Sequence, residues 1–221
     1  MEIMEAMAKR HSVRQYTDEP IDKNTLDALK DEIAACNKEG ELNIQLVTNE
    51  PKAFSSFMAH YGKFSGVTDY IALIGKKSRD LDERCGYYGQ RIVLKAQQLG
   101  LNTCWVALTY KKVPDAFIVN DGEKLVVVIA LGYGKTQGED RKSKAPQEVS
   151  NIDGSSPRWF RSGVAAALLA PTAMNQQKFY LTLSDDKVTA KAKAGFYTKL
   201  DLGIVKYHFE LGAGKDNFKW A

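Results

Sequence analysis

The chain has little cysteine, no long apolar run and no strong charge of either sign. Of its 221 residues only three are cysteine, Cys36, Cys85 and Cys104, widely spaced and without a CxxC pair. An odd, scattered set of this kind excludes a disulfide framework and reads as free thiols in a reducing compartment. The longest apolar run, residues 125–131, is far too short to span a bilayer. The opening Met1-Glu2-Ile3-Met4-Glu5 is amphipathic and acidic, unlike a secretory signal. A cytoplasmic protein with no membrane partner is expected. The net charge of +4 is mild and both signs are scattered. That argues against a nucleic-acid partner and leaves room for a local basic patch that takes a phosphorylated ligand.

Several motifs are missing as well. Gly132-Tyr133-Gly134-Lys135-Thr136 follows an apolar run, but the phosphate-binding pattern G-x-x-x-x-G-K-[ST] would need glycine where Ile129 stands. Gly132-x-Gly134 continues to Gln137 and Gly212-x-Gly214 to Asn217, so neither is a dinucleotide fingerprint. His11, His60 and His208 lack metal-ligand spacing, and no metal site is expected. No serine elbow or Cys–His arrangement suggests nucleophilic catalysis.

What is present describes a globular chain. Hydrophobic residues make up 44% and charged residues 26%, and the length suffices for a substantial core. Helical spacing predicts helices over residues 2–10, over 22–37 with Asp22 as cap, over 51–61 opened by Pro51, and over 82–99 closed by Gly100. It also predicts helices over 157–169, 186–194 and 200–211, the last closed by Gly212, and a short one around Pro114. Strands are expected at 43–48, 70–74, 103–108, 125–131 and 179–183, with an edge strand in the tail 217–221. Residues 134–156 read as a long connecting loop, a length that is usually functional or disordered. The irregular mixture indicates an α+β sandwich.

One phrase occurs twice. Ser12-Val13-Arg14-Gln15-Tyr16 and Ser156-Pro157-Arg158-Trp159-Phe160 both read Ser-x-Arg-x-aromatic. A weaker echo links Arg91-Ile92-Val93-Leu94, running to Gly100, with Gly203-Ile204-Val205-Lys206, running to Gly212. The shared order suggests internal duplication, with halves of about 1–150 and 151–221 in one domain spanning 1–221. Arg10, Ser12 and Arg14 suit a phosphate clamp, since guanidinium offers paired donors in a rigid fork. On spacing alone, a solvated charged stretch after a helix explains them as well. Residues 171–177, Pro171-Thr172-Ala173-Met174-Asn175-Gln176-Gln177, combine small residues with amides suited to a heterocycle edge. An ordinary helix-ending loop is the plainer reading there. Lys142 and Lys144 add charge, either to a phosphate or to solvent.

Arg10-His11-Ser12-Val13-Arg14 together with the segment from Ala170 to Gln177 resembles the FMN-dependent nitroreductase family. Tyr88-Gly89 to Gly100, followed by Thr103-Cys104-Trp105, resembles that family's central helix and the strand behind it. Residues 142–146 resemble its basic segment near the FMN phosphate. One departure stands out: the A-P-S-like segment follows the second Ser-x-Arg copy, while after the first stands Cys36-Asn37-Lys38-Glu39-Gly40. The chain is similar to a branch in which one polypeptide mimics a homodimer. The resemblance implies a nitroreductase-like α/β sandwich with a central, mostly antiparallel sheet flanked by helices. It implies that Arg10 and Ser12, with the His11 backbone nearby, contact the FMN phosphate, that Lys142 or Lys144 adds charge there, and that Arg14 tunes the ring. It places Pro171, Thr172 and Ala173 on the isoalloxazine, Asn175 and Gln177 at its edge, and Val106, Ala107 and Leu108 along it.

The implied activity is that of an NAD(P)H oxidoreductase reducing nitroaromatics, quinones or similar electron-poor small molecules by ping-pong hydride transfer. The chemistry belongs to flavin N5, and no protein acid or base is required. NADH and NADPH stay open as reductants, and monomer and homodimer as states. Two other readings stay open: an FMN-binding or sensing protein without turnover, and a same-fold flavoenzyme with another reaction, such as reductive dehalogenation.

Overall fold

The computed structural model describes all 221 residues. The chain divides into two compact units, Met1–Leu81 with Arg91–Asp140, and Asp82–Gln90 with Arg141–Ala221.

In the first unit, helix α1 (Ile3–Lys9) is followed by α2 (Lys23–Gly40), strand β1 (Gln45–Val47), a short α3 (Phe57–Tyr61) and β2 (Asp69–Lys76). Helix α4 (Leu81–Gln98) gives its last turns to this unit, ahead of β3 (Asn102–Val106) and β4 (Glu123–Gly132). The sheet order is β1-β2-β4-β3 and every pairing is antiparallel. β2 and β4 lie at the centre, which explains why both read as unbroken apolar runs: Tyr70 to Ile74 and Val127 to Leu131 are all buried. α2 begins where the Asp22 carboxylate accepts a hydrogen bond from the Thr25 N–H at 3.1 Å. It turns Leu29, Ile33 and Cys36 inward.

The second unit holds α5 (Pro146–Val149), α6 (Arg158–Leu168), β5 (Phe179–Ser184), β6 (Lys187–Ala192), α7 (Thr198–Ala213) and β7 (Lys219–Trp220). Its sheet order is β5-β6-β7, with β7 parallel to β6. The first half of α4 also belongs here, and crosses α7 at two glycines. A Cβ on Gly86 would stand 2.0 Å from the Leu200 carbonyl oxygen, and one on Gly203 would stand 1.9 Å from that of Glu83. Only residues without a side chain permit such an approach. Below the helices Trp159, Phe160, Phe209, Phe218 and Trp220 form one aromatic cluster, with ring centroids 5.0–5.8 Å apart. His208 is structural, fully buried between the Gln90 amide at 2.8 Å and the Ala166 carbonyl at 3.1 Å.

Several expectations need correction. Residues 187–192 form strand β6, not a helix: Asp185, in the left-handed region at φ 55°, and Asp186 make a two-residue turn that returns the chain antiparallel to β5. Residues 51–61 are a 3₁₀ turn, Pro51–Phe54, and then α3, because Ser56 caps a new helix at Ala59. No helix surrounds Pro114; Asp115 sits at φ 63° in a turn. α7 runs past Gly212, whose missing side chain lets it lie against Ser162 and Ala166, and ends at Gly214 with φ 76°. The loop 134–156 contains α5.

Candidate functional site

The first Ser-x-Arg segment is an extended strap in the first unit. Ser12 bridges Thr103 at the start of β3, and the Val13 N–H donates to the Thr103 carbonyl at 3.1 Å. Two residues on, the Tyr16 N–H donates to the Ser65 carbonyl at 2.9 Å, and the Ser65 N–H to the Arg14 carbonyl at 3.0 Å. Val13 and Tyr16 are buried in a core with Phe54, Phe64, Tyr70, Cys104 and Val106. Arg14, between them in sequence, therefore faces outward and is exposed. Gly66, at φ 71°, is needed beside the strap: a Cβ there would lie 2.3 Å from the Tyr16 carbonyl oxygen.

Ser12 reaches the Cys104 thiol, and the Arg10 and Arg14 guanidiniums lie near enough to act on its charge. Burial pushes that thiol up, while the Arg14 guanidinium, a hydrogen bond from Ser12 and the Arg10 guanidinium pull it down. Arg10 is itself only 4% exposed. Two guanidiniums and a hydroxyl at one strand end form a donor set that fits a phosphate group. His11 lines a different depression, of about 660 Å³, with its Nε2 3.7 Å from an Asp140 carboxylate oxygen.

Arg14 lines a cavity of about 390 Å³ with Val106, Ala107, Tyr61, Lys63 and Trp105. Leu108 is not among its lining and is 70% exposed. Tyr61, Lys63 and Trp105 were not among the expected cofactor contacts. Their only signal was a helix stop, Tyr61-Gly62-Lys63, ahead of a buried aromatic.

In the second unit the structure ties four of the expected residues together. Gln177 is 2% exposed and its side chain is taken up by protein atoms. Its Oε1 accepts the Lys144 N–H at 2.9 Å, and its Nε2 donates to the Lys142 carbonyl at 3.0 Å and to Asn175 Oδ1 at 3.1 Å. Asn175 Nδ2 donates to the same Lys142 carbonyl at 2.8 Å. Lys144 Nζ returns a bond to the Gln177 carbonyl at 3.2 Å. The turn is strained: Met174, Asn175 and Gln177 all have φ between 46° and 53°. Each such residue costs on the order of 1 kcal/mol, and such strain clusters at functional sites. Met174 projects at 95% exposure. Thr172 accepts the Gln177 N–H at 3.0 Å.

Asp201 is a further anchor of this turn. Its carboxylate accepts the Ala173 N–H at 3.0 and 3.2 Å and the Gln176 amide at 2.9 Å. Burial raises its pKa to about 6, against the lowering effect of these two hydrogen bonds. An acid inside Leu200-Asp201-Leu202-Gly203-Ile204 was the sequence signal for it.

The second Ser-x-Arg copy does not repeat the strap. Asp153 Oδ1 accepts the N–H and hydroxyl groups of Ser155 and Ser156, Pro157 caps α6, and Arg158 is its first residue. Only the aromatic keeps its part, since Tyr16 and Phe160 are both buried.

A family model described as "Putative TM nitroreductase" matches residues 2–213. The chain belongs to this nitroreductase family. Membership supports an oxidoreductase-type function. Among solved structures, a putative nitroreductase from Thermotoga maritima is similar over 98% of this chain and 85% of its own, at 23% identity and TM-score 0.68. A putative nitroreductase from Desulfovibrio desulfuricans, solved in complex with FMN, covers 71% of this chain and 99% of its own, at 14% identity and TM-score 0.55. A putative NADH dehydrogenase/NAD(P)H nitroreductase from Parabacteroides distasonis covers 70% and 98%, at 22% identity and TM-score 0.51. At these identities the likeness concerns the fold, and the nitroreductase-like α+β arrangement expected from the sequence is the one found. No curated protein matches the chain. No helix is long and apolar enough to cross a membrane.

Proposed function

We propose that this nitroreductase-family chain is an FMN-dependent oxidoreductase that takes electrons from NADH or NADPH and delivers them to an electron-poor small molecule. The convergence of Arg10, Ser12 and Arg14 at the start of β3 carries the reading. Arg10 and Ser12 hold the phosphate, with bidentate charge from the guanidinium and one hydroxyl donor. Arg14 reaches the pyrimidine side of the ring, where a fixed cation favours the reduced, anionic form. FMN supplies the hydride-accepting and hydride-donating chemistry when bound. Val106 and Ala107 offer it an apolar wall. In the second unit, Pro171, Thr172 and Ala173 present small groups, and Asn175, Gln177, Lys142 and Lys144 form one hydrogen-bonded loop. Taken by itself, this loop suits a flavin as well, with Gln177 and Asn175 acting through the backbone that they hold. The FMN complex of the Desulfovibrio relative supports the choice of flavin, and the name of the Parabacteroides relative supports a nicotinamide reductant.

The duplication also gains support, on different residues from those of the sequence repeat. Gly86 meets Leu200 and Ile204; Gly203 meets Glu83 and Tyr87. The three equivalences, 83 with 200, 86 with 203 and 87 with 204, share one offset, as two copies related by a local two-fold require. One such chain then supplies by itself the helix pair that a homodimer builds from two subunits.

Flavin retention tests the assignment. Arg10→Ala is expected to weaken FMN binding by at least tenfold, since it removes a charge-assisted phosphate contact. An Arg10→Ala variant that folds and keeps wild-type FMN affinity would overturn it.

A further inference from the structure

The cavity beside Arg14 has a second wall that the flavin assignment leaves over. Tyr61, Lys63 and Trp105 line it. Lys63 is held in the left-handed region at φ 62°, a costly conformation for a lysine. Its backbone is fixed there by the end of α3: its N–H donates to the His60 carbonyl at 2.8 Å, and the flanking Phe64 N–H to the Ala59 carbonyl at 3.0 Å. Gly62 makes the turn possible, since a Cβ there would lie 2.7 Å from Thr109. The lining thus holds two cations, Arg14 and Lys63, three aromatic residues, Tyr61, Phe64 and Trp105, and no carboxylate. Neither cation forms an ion pair within the chain.

We infer that this cavity selects a planar aromatic acceptor carrying a negative charge, such as an aromatic carboxylate or phenolate, with Lys63 as its charge-reading residue. The inference rests on the oxidoreductase reading, because that reading gives Arg14, Val106 and Ala107 to the cofactor and leaves Tyr61, Lys63 and Trp105 to the acceptor. Aromatic faces supply stacking area that is indifferent to charge. Lys63 supplies the discrimination. Being exposed, it is worth a factor of about three to five against a neutral analogue, a preference that shrinks as salt rises.

The test uses the FMN-loaded protein and two probes of one shape, 4-nitrobenzoate and neutral 4-nitrobenzyl alcohol. KM is measured for each with NADPH in excess, and binding of each is measured by equilibrium dialysis without reductant. The expected result is tighter dialysis binding and a lower KM for the anion by about three- to fivefold at low salt. Lys63→Gln is expected to erase most of that difference, and Lys63→Arg to restore it. Equal binding of the two probes by the wild type, or a preference that survives Lys63→Gln, overturns the inference. A protein that takes up no flavin overturns the oxidoreductase reading instead; dialysis with the flavin-free chain then still decides whether the cavity prefers the anion.

Discussion

Alanine at Gly203 would drive a methyl group into the α4 backbone. The added Cβ lies 1.9 Å from the Glu83 carbonyl oxygen and 2.7 Å from the Tyr87 nitrogen, while ordinary contact begins near 3.4 Å. The two helices would have to separate by about 1.5 Å, and the obstacle is backbone, which cannot rotate away as a side chain does. Overpacking of this kind costs about 3 kcal/mol at the upper end, and replacing glycine by alanine in a helix returns about 1 kcal/mol. A net loss of about 2 kcal/mol is expected for Gly203→Ala. A similar loss is expected for Gly86→Ala, whose Cβ would lie 2.0 Å from the Leu200 carbonyl oxygen. One separation relieves both clashes, so the double variant should lose clearly less than the two single losses together. Gly154→Ala, with nothing within 4 Å, is the control and should stay within about 0.5 kcal/mol of wild type. Guanidinium denaturation followed by circular dichroism reads these differences as midpoint shifts at constant slope. Neutral or stabilised single variants would refute the close crossing; additive losses would refute its shared geometry.

Three further outcomes are expected. Asp201, raised to about 6 from 3.8, holds its proton more tightly in the folded chain than in the unfolded one, so its contribution to stability is full below about pH 4 and is lost as pH rises through 6. The loss is at most about 3 kcal/mol, and Asp201→Asn should flatten that slope in denaturation midpoints taken from pH 4 to 7. Gln177→Leu leaves the Lys144 N–H without its acceptor and the Lys142 carbonyl with Asn175 alone, which should cost about 2 kcal/mol and expose Lys142 and Lys144 to trypsin; an unchanged digestion pattern would contradict the tie. Cys36, Cys85 and Cys104 are all buried, with Cys36 pushed up to about 12 and Cys104 also raised by burial, so an aromatic disulfide reagent should titrate no thiol until the chain unfolds.

The sequence was most legible where one force dominates. The apolar run of β4 and the Asp22-capped α2 follow from burial and from backbone capping, both of which are local. β6 was misread because Lys187, Ala190, Lys191 and Ala192 are helix formers; the deciding feature is the Asp185-Asp186 turn, which commits the segment to pairing with β5. The duplicated Ser-x-Arg phrase was visible, yet its second copy serves a turn and a helix start, because Asp153 gathers its serines. The close helix crossing rests on Gly86 and Gly203, whose significance depends on what stands opposite, and no spacing along one chain shows that. Likewise Arg10, Ser12 and Arg14 were readable as a donor set, while Lys63 and Trp105 join Arg14 only through the strap's pairing with residues 65 and 103.

The visible absorption spectrum of the purified chain, after incubation with FMN and removal of the excess, is to be recorded before and after anaerobic NADPH. About one flavin per chain is expected, bleached by the nucleotide. A chain that retains no flavin contradicts the cofactor assignment, and a flavin that NADPH leaves yellow, with NADH no better, contradicts the oxidoreductase.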